Sequence, residues 1–350
     1  MAPVGKRVFL AAVLITLFIE ASDACPDHQP AVKICEFIYE SAPFAASHAS
    51  TILETKRGLL AAWFGGSREG AADVLIWSAR KENAAWSKPT VLARGEQNGG
   101  DQLPTWNPVL FRSRSGLLTL FYKVGLNPKS WWGMIMTSQD EGLSWTMPRR
   151  LPEGILGPIK NKPIQLEDGT ILAPSSTEDH GWHVDIESSA DDGATWHSSG
   201  PLNSDGMLVI QPTLISHGDG KIQMLVRNRR REASEPQRIM QSWSFDRGRT
   251  WRSFTPSALP NPDSGIDAVS LHDGRAVLVF NDTSTSRSSL AVAISTDHGV
   301  SWTNALQLEN EVGEEFSYPA IIEDSKGMIQ ITYTWKRRKI RHVTIDPHGL

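Results

Sequence analysis

The chain has 350 residues and a formal net charge of −4, and 40% of its residues are hydrophobic against 21% that are charged. These values describe a globular protein, and they exclude both a disordered chain and a protein that coats nucleic acid through bulk positive charge. Two cysteines exclude a disulfide-rich scaffold and a four-cysteine zinc site, whereas 13 tryptophans require a repeated structural use.

The N-terminal 24 residues are typical of a secretory signal peptide. Two basic residues precede an apolar run at 8–19, which is too short to span a bilayer. Ser22 and Ala24 then form a small-x-small cleavage pattern, so we expect residues 25–350 to form one secreted or periplasmic domain. No later apolar run has spanning length, so we expect no membrane span in the mature chain.

An eight-residue pattern, Ser-x-Asp-x-Gly-x-(Ser/Thr)-Trp, occurs four times along the chain. It occupies residues 138–145, 189–196, 244–251 and 295–302, and a degenerate copy ends at Trp86. In such a pattern the Asp accepts hydrogen bonds from nearby backbone N–H groups, the Gly adopts a positive φ and the Trp folds back as an apolar plug. We therefore interpret these segments, called the Asp-bearing turns below, as structural.

A second repeat interleaves with the first and consists of an apolar run, a glycine turn and another apolar run. The turn glycines are Gly58, Gly116, Gly169, Gly220, Gly274 and Gly327. Each segment predicts a β-hairpin, and a third strand precedes each Asp-bearing turn. Six such units at a period near 53 residues predict an all-β fold, a six-bladed β-propeller. We expect residues 32–39 to supply the outer strand of the last blade and close the ring.

Polar residues stand where the first strand of each predicted blade begins. They are His48, Asn107 after Trp106, Lys160, Asn161, Lys162, Gln211, Asp267 and Tyr318. The first strands of a propeller converge on its central funnel, so these positions indicate a site that binds a polar ligand. The alternative is that water in the channel satisfies these polar strand ends.

The repeats resemble the sialidase (neuraminidase) superfamily, also called Asp-box or BNR-repeat proteins, over roughly residues 40–345. The resemblance implies a secreted, exo-α-sialidase-like glycoside hydrolase that removes a terminal acidic sugar from glycans. It also implies a tyrosine nucleophile, an aspartate acid/base and three arginines on the sugar carboxylate. The expected partner is an acidic glycan rather than nucleic acid, and no metal or other cofactor is called for.

The resemblance assigns roles to four residues. Tyr318, in EEFSYPA, matches the nucleophile, and Asp73, in SREGAADVLIW, matches the acid/base. Arg227 and Arg287 match the second and third arginines, which hold a carboxylate by forked hydrogen bonds. A free tyrosine has a pKa near 10, so it needs positive neighbours or a base to attack near neutral pH. Trp106 offers a flat apolar face to a sugar ring.

Two positions depart from the family pattern. His48 stands where the first arginine is expected, and histidine is a weaker, titratable substitute for a guanidinium. Gln211 stands where the catalytic glutamate is expected, and glutamine cannot take a proton from tyrosine. Glu315, three residues before Tyr318, and Asp267 are then the candidate bases.

These departures leave two alternatives open. One is an enzyme of the same fold that acts on a rhamnosyl-glucuronate linkage, as a lyase or a rhamnosidase, with His48 as its acid/base. Lys160, Lys162, Arg227 and Tyr318 would then share the neutralisation of the uronate carboxylate and the removal of the adjacent proton. The other is a non-catalytic propeller that binds glycans, because loss of the glutamate is one way to lose catalysis.

Overall fold

The computed structural model describes residues 29–97, 100–179, 181–204, 206–230 and 237–350. The predicted signal peptide lies outside the described residues, and so does Cys25, one of the two cysteines of the chain. The described residues form β-strands, together with one 3-10 helix at Pro347–Gly349. No helix among them is long and apolar enough to cross a membrane.

The strands are numbered along the chain. They are β1 (Val32–Phe37), β2 (Ala46–Thr55), β3 (Gly58–Gly66), β4 (Leu75–Glu82), β5 (Ala85–Trp86), β6 (Thr90–Ala93), β7 (Thr105–Arg112), β8 (Leu118–Val124), β9 (Trp132–Ser138), β10 (Arg149–Arg150), β11 (Ile164–Gln165), β12 (Ile171–Thr177), β13 (His183–Ser189), β14 (His197–Ser198), β15 (Val209–Ser216), β16 (Ile222–Asn228), β17 (Arg238–Ser244), β18 (Thr255–Pro260), β19 (Asp267–Ser270), β20 (Ala276–Phe280), β21 (Ser289–Ser295), β22 (Thr303–Asn310), β23 (Phe316–Glu323), β24 (Ile329–Trp335) and β25 (Lys339–Ile345).

Six antiparallel sheets form the six blades of a β-propeller, as the sequence predicts. Blade 1 is β2 to β5 with β6 beside β4, blade 2 is β7 to β10, and blade 3 is β11 to β14. Blade 4 is β15 to β18, blade 5 is β19 to β22, and blade 6 is β23 to β25 with β1 on its outer edge. Because β1 pairs antiparallel with β25, the N-terminal strand closes the ring onto the last blade.

Burial along the strands follows from the radial packing of the blades. The second strands β8, β16 and β24 are buried at every residue, whereas the third strands β9, β13 and β17 alternate between buried and partly exposed positions. Blades that pack face to face cover both sides of their inner strands, so apolar runs rather than alternating patterns are stable there. The core is consequently divided among the blade interfaces.

The Asp-bearing turns share one set of hydrogen bonds. In the first, Ser138 Oγ donates to Asp140 Oδ1 (2.8 Å) and accepts from the backbone N of Gly142 (2.8 Å). Ser144 N donates to Asp140 Oδ1 (2.9 Å), and the Trp145 indole Nε1 donates to Gly142 O (3.0 Å). The second and third turns repeat all of these bonds. The fourth repeats the Ser and Asp bonds, but the indole Nε1 of its Trp302 is buried without a hydrogen-bond partner among the described residues. The bonds are local, and so the turns are structural elements as interpreted from the sequence.

Four inner strands bulge at one equivalent position, in β2, β7, β15 and β23. The bulged residues have positive φ and are Ala49 (54°), Asn107 (38°), Gln211 (56°) and Tyr318 (53°). Three of them precede a proline, which a sheet tolerates at a bulge. His48 therefore stands one residue before the equivalent position in blade 1, which Ala49 occupies.

Candidate active site

Tyr318 lies at the centre of a polar cluster on the propeller axis. Its phenol oxygen accepts hydrogen bonds from Arg227 Nη1 (2.8 Å) and Gln211 Nε2 (3.0 Å). Its ring centroid is 4.1 Å from that of His48, and the Arg287 Cζ lies 5.6 Å from it. The fold thus brings together predicted site residues from blades 1, 4 and 6 and from the segment between β20 and β21 of blade 5.

Gln211 acts as a hydrogen-bond donor to Tyr318, as its neutral amide requires. It is 3% exposed, and its Oε1 accepts from Arg227 Nη1 at 3.2 Å while its Nε2 faces the phenol oxygen. Glutamine cannot take up the phenol proton, but it adds a second donor beside the guanidinium. Two donors on one oxygen stabilise negative charge at that atom.

Asp263 connects three arginines and was not found by the sequence analysis. Its Oδ1 accepts from Arg227 Nε (2.5 Å), its Oδ2 accepts from Arg229 Nε (2.7 Å) and its backbone carbonyl accepts from Arg287 Nη2 (2.8 Å). Burial lowers the pKa of Arg227, but the nearby Tyr318 and Asp263 outweigh this effect and raise it. Asp263 therefore orients the guanidinium that contacts Tyr318 and keeps it charged. The only sequence signal was a turn-forming Asn-Pro-Asp segment just before blade 5.

Glu315 makes a second arginine-bridging contact on the blade 6 side. Its Oε1 accepts from Arg287 Nη1 (3.2 Å), Arg337 Nε (2.9 Å) and Ser317 Oγ (2.6 Å). Burial raises the pKa of Glu315, but these positive and hydrogen-bonding neighbours outweigh it and lower the pKa. Glu315 is thus a charged partner of two arginines, an environment that disfavours its predicted use as a base for Tyr318. Arg337, in the turn between β24 and β25, was also not found from the sequence.

His48 lies beside the phenol ring and is 2% exposed. Its Nδ1 is 2.9 Å from Thr334 Oγ1. It lines a cavity of about 240 Å³ together with Phe64, Glu69 and Arg337. Burial holds the pKa of His48 well below its usual range, and the surrounding positive charges, foremost Arg337, act in the same direction. Both effects favour the neutral form of the imidazole.

Asp73, the predicted acid/base, lies on the loop between β3 and β4. It is exposed, and its two carboxylate oxygens accept hydrogen bonds from Ser67 N (3.0 Å) and Ser67 Oγ (2.9 Å). Arg68, Glu69 and Val74 of this loop line the His48 cavity, and Glu69 Oε2 accepts from Arg337 Nη1 at 2.6 Å. The loop thus supplies two carboxylates, and the one that contacts the cluster is Glu69.

Lys160 and Asn161 tie the inner ends of the blades together. Lys160 Nζ donates to Asn161 Oδ1 (2.8 Å) and to the carbonyl of Pro319 (2.5 Å), directly after Tyr318. Asn161 Nδ2 donates to the carbonyl of Pro212 at 2.9 Å. Burial lowers the pKa of Lys160 to about 7. Both side chains are buried against protein groups, an arrangement that positions the bulged strands.

Asp267 holds the same region together from blade 5. It is 1% exposed, and its Oδ1 accepts from Thr213 Oγ1 (2.8 Å) and from a backbone N–H. Its Oδ2 accepts from Lys162 Nζ (3.0 Å) and from the backbone N of Ile321 (3.0 Å). With two hydrogen bonds on each oxygen, Asp267 links blades 3 to 6 and is poorly placed to act as the base.

Trp106 and Asn107 are buried at the blade 2 bulge, at 6% and 5% exposure. The Trp106 indole Nε1 donates to Gly125 O (2.8 Å), and its ring packs 5.9 Å from that of Trp131. A Cβ atom on Gly70 would lie 3.3 Å from the Trp106 ring, so Trp106 supports the loop that carries Glu69 and Asp73. Its environment is that of a packing residue more than of an open sugar platform.

The loop between β12 and β13 completes the rim on the blade 3 side. Arg229 and Arg227 lie over the Trp182 ring, with Cζ at 4.3 and 5.5 Å from its centroid. Burial raises the pKa of Glu178 in the same loop. Among the described residues no group of three or more His, Cys, Asp or Glu side chains is arranged to hold a metal ion.

The comparisons with known proteins agree with this architecture. Residues 57–331 match the BNR repeat-like domain. The chain belongs to this family. A sialidase of Bacteroides fragilis (strain YCH46) is 25% identical over 255 residues, which are 63% of this chain and 44% of that protein. The BNR repeat-like chain thus spans less than half the length of that relative.

Two solved structures share the fold of this BNR repeat-like protein. A protein of unknown function from Dyadobacter fermentans DSM 18053 has a TM-score of 0.73 at 15% identity, over 90% of this chain and 98% of that one. The Hadza microbial sialidase Hz136 has a TM-score of 0.71 at 18% identity, over 87% of this chain and 66% of that one. The resemblance to the sialidase superfamily is thereby confirmed at the level of family and fold.

Proposed function

We propose that this protein is an exo-α-sialidase-like glycoside hydrolase that removes a terminal acidic sugar from glycans. The observation that carries the proposal is the phenol oxygen of Tyr318, which receives hydrogen bonds from Arg227 (2.8 Å) and Gln211 (3.0 Å) at the centre of the propeller. An activated tyrosine is the nucleophile that sialidases use in place of a carboxylate.

The positively charged arginines beside Tyr318 suit an acidic substrate. Arg227 and Arg287 lie beside Tyr318, and Asp263 and Glu315 link them to Arg229 and Arg337 respectively. These two guanidinium groups beside the phenol are the ones placed to attract an anionic sugar. A phenol nucleophile is neutral until it is activated and does not repel such a substrate, whereas a carboxylate would.

The chemical step is a double displacement at the anomeric carbon. The phenol oxygen of Tyr318 forms a bond to this carbon as the glycosidic C–O bond breaks, and the phenol proton leaves to solvent. Arg227 and Gln211 stabilise the developing phenolate by hydrogen bonds. The mechanism therefore does not require a basic residue at position 211. An acid protonates the departing oxygen. Its conjugate base then takes a proton from water, whose oxygen bonds to the anomeric carbon as the Tyr318–sugar bond breaks, and the released phenolate regains a proton from solvent.

The acid belongs to the loop between β3 and β4. Asp73 is the residue that the resemblance assigns, and Glu69 is the carboxylate of the same loop that lines the His48 cavity. We propose Asp73 as the acid/base, with Glu69 as the competing assignment. Separate Asp73→Asn and Glu69→Gln variants decide between them, because loss of the acid affects substrates with poor leaving groups most.

A second candidate is a lyase or rhamnosidase that acts on a uronate-containing polysaccharide. The observation that favours it is the neutral imidazole of His48, which lies 4.1 Å from the Tyr318 ring between centroids. A neutral histidine is able to remove a proton beside a uronate carboxylate.

The deciding experiment compares products. The purified protein is incubated with a fluorogenic α-sialoside and, separately, with rhamnosyl-glucuronate oligosaccharides. Release of the fluorophore supports the sialidase-like hydrolase, whereas ultraviolet absorbance from an unsaturated uronate supports the lyase, and free rhamnose without that absorbance supports the rhamnosidase. Saturable binding of an acidic glycan without any product supports the non-catalytic propeller and contradicts both enzymes.

A further inference from the structure

The buried hydroxyl of Thr334 lies against one ring nitrogen of His48. Thr334 has no exposed surface, and its Oγ1 accepts from the backbone N of Ala49 at 3.2 Å and lies 2.9 Å from His48 Nδ1. Among the described residues, His48 Nδ1 is the acceptor placed to receive the hydroxyl hydrogen. If Nδ1 carried a hydrogen itself, the buried hydroxyl hydrogen would be left unsatisfied, which is unfavourable.

We infer that His48 is a fixed neutral donor, with Nδ1 accepting from Thr334 and Nε2–H donating to an oxygen of the bound acidic sugar. Nε2 has no hydrogen-bond partner among the described residues, and it is not one of the unpartnered side-chain atoms that are shut off from solvent. His48 also lines the 240 Å³ cavity beside Tyr318. Because Nδ1 is engaged by the Thr334 hydroxyl, the ring nitrogen left for a ligand in the cavity is Nε2, with its hydrogen.

The surroundings keep the imidazole neutral over the range in which histidine ordinarily titrates. Burial is the main cause of the depressed pKa of His48, and positive charges add to it. The charged groups that face it are Arg337, Arg287, Lys160 and Arg227, with Glu69 and Glu315 already paired to Arg337. A group that neither gains a proton nor offers a lone pair at Nε2 is not a proton shuttle. The inference deepens the proposed hydrolase and opposes His48 as the base of a lyase.

The tautomer is measured directly by nitrogen-15 NMR of the full chain, with His48→Gln used to assign the His48 signals among the ten histidines. We expect Nε2 to show the shift of a protonated nitrogen and Nδ1 that of an unprotonated one, unchanged from roughly pH 5 to 8. A protonated Nδ1 with a bare Nε2, or protonation of both nitrogens within this range, overturns the inference.

Kinetics test the donor role with a fluorogenic sialoside. His48→Gln keeps an N–H near the position of Nε2, so we expect it to lose less kcat/KM than His48→Ala, which we expect to fall about 10- to 100-fold. A proton shuttle predicts instead that Gln and Ala are equally inactive. That result, with melting temperatures close to the wild type, contradicts the donor role.

Thr334→Val removes the hydroxyl that selects the tautomer, while Thr334→Ser retains it. The matched control is Thr332→Val, two residues away on β24, because the Thr332 hydroxyl is buried without a hydrogen-bond partner. We expect Thr334→Val to free Nδ1 to carry the hydrogen in the NMR spectrum and to reduce kcat/KM, and Thr334→Ser and Thr332→Val to do neither. An unchanged tautomer in Thr334→Val contradicts the inference.

The two proposals fail separately. Absence of turnover with any sialoside rejects the proposed hydrolase but leaves the tautomer to be decided by NMR. A bare Nε2 in an active sialidase rejects the inference and leaves the hydrolase standing.

Discussion

The Asp-bearing turns and the central site are both built from repeated positions, but they repeat different things. The four turns share the Ser, Asp, Gly and Trp of the motif and the same Ser and Asp hydrogen bonds. The four bulges of the inner strands share a backbone conformation, while their side chains are Ala49, Asn107, Gln211 and Tyr318. The Asp-bearing turns, which repeat their side chains, stabilise the scaffold. The bulges, which repeat only their backbone conformation, present a different side chain from each of the four blades.

The degenerate copy of the turn in blade 1 supports this distinction. Asn83 and Ala84 adopt positive φ values of 50° and 68° although the Asp and Gly of the pattern are missing. The indole Nε1 of Trp86 donates to Glu36 Oε1 (2.9 Å) instead of closing its own turn. Without the Asp and Gly, β4 continues four residues past the Ser position to Glu82 and turns directly into β5, so the Asp-bearing turn conformation is lost with its chemistry.

The largest effect is expected from Tyr318→Phe, which removes the nucleophile and leaves the bulge intact. We expect sialoside turnover to fall by roughly 1,000-fold or more, because no other group replaces a covalent nucleophile. The matched control is Tyr122→Phe in blade 2, which removes a buried hydroxyl without a hydrogen-bond partner. Residual activity near the wild-type level in Tyr318→Phe, with Tyr122→Phe also active, contradicts the mechanism.

Asp263→Asn tests the support of the arginines. The loss of its charge loosens Arg227 and Arg229, and we expect kcat/KM for acidic substrates to fall roughly 10-fold. The control is Asp273→Asn, which breaks a surface pair with Arg275 on the turn between β19 and β20. If both variants behave alike in steady-state kinetics, Asp263 does not position the site.

The architecture was predictable because its signals are local and repeated. Turn glycines such as Gly274 and the Asp-bearing turns recur at a nearly constant period, and each acts within a few residues. Closure of the ring by the N-terminal strand followed from the shortage of strands after Val343. Such features need no knowledge of distant contacts.

The site residues were predictable only where the residue type and its place in the sequence matched the family pattern. Tyr318, Arg227, Arg287 and Gln211 do meet, in an order that the family resemblance gave. Asp263 was missed because its role depends on arginines from β16 and from the segment before β21, a juxtaposition that sequence spacing does not reveal.

Arg337 was missed for a similar reason. It stands in a basic turn between β24 and β25, and its contacts are a carboxylate just before β23 and one on the blade 1 loop. Lys160 and Asp267 are buried polar residues, and their hydrogen bonds are directed to protein groups. Sequence identifies polar funnel positions, but it does not separate those that support the site from those that face the ligand.

Glu36 on the closing strand β1 links blade 6 to blade 1. Glu36 on β1 accepts from His342 Nδ1 (2.9 Å) and Lys81 Nζ (2.5 Å). Burial raises its pKa, but these partners outweigh burial and lower it to about 2. Because the folded-state pKa is depressed, Glu36 stabilises the fold above its ordinary pKa and loses this contribution as pH falls toward 2.

Glu36→Gln is therefore expected to lower the free energy of unfolding at neutral pH by about 1–2 kcal/mol, after allowance for solvent screening. Urea unfolding at pH 7 and at acidic pH checks this expectation. The difference between wild type and variant should shrink on acidification. A difference that grows as pH falls gives the sign opposite to the linkage argument.

The smallest effect is expected from Asp191→Ala, which removes one of the four equivalent turn carboxylates. Hydrogen bonds from Thr195 and Ser189 lower the pKa of Asp191 to about 2, so the group is charged at neutral pH and accepts several local bonds. We expect the melting temperature to fall by about 1–3 °C, with unchanged sialoside kinetics, because the turn lies at the blade edge and its contacts are local. Glu153→Ala, at an exposed residue, is the control. A change in kcat/KM without a change in stability would mean that the turns influence the candidate active site. The distinction between turns that stabilise the scaffold and bulges that present site residues would then no longer hold.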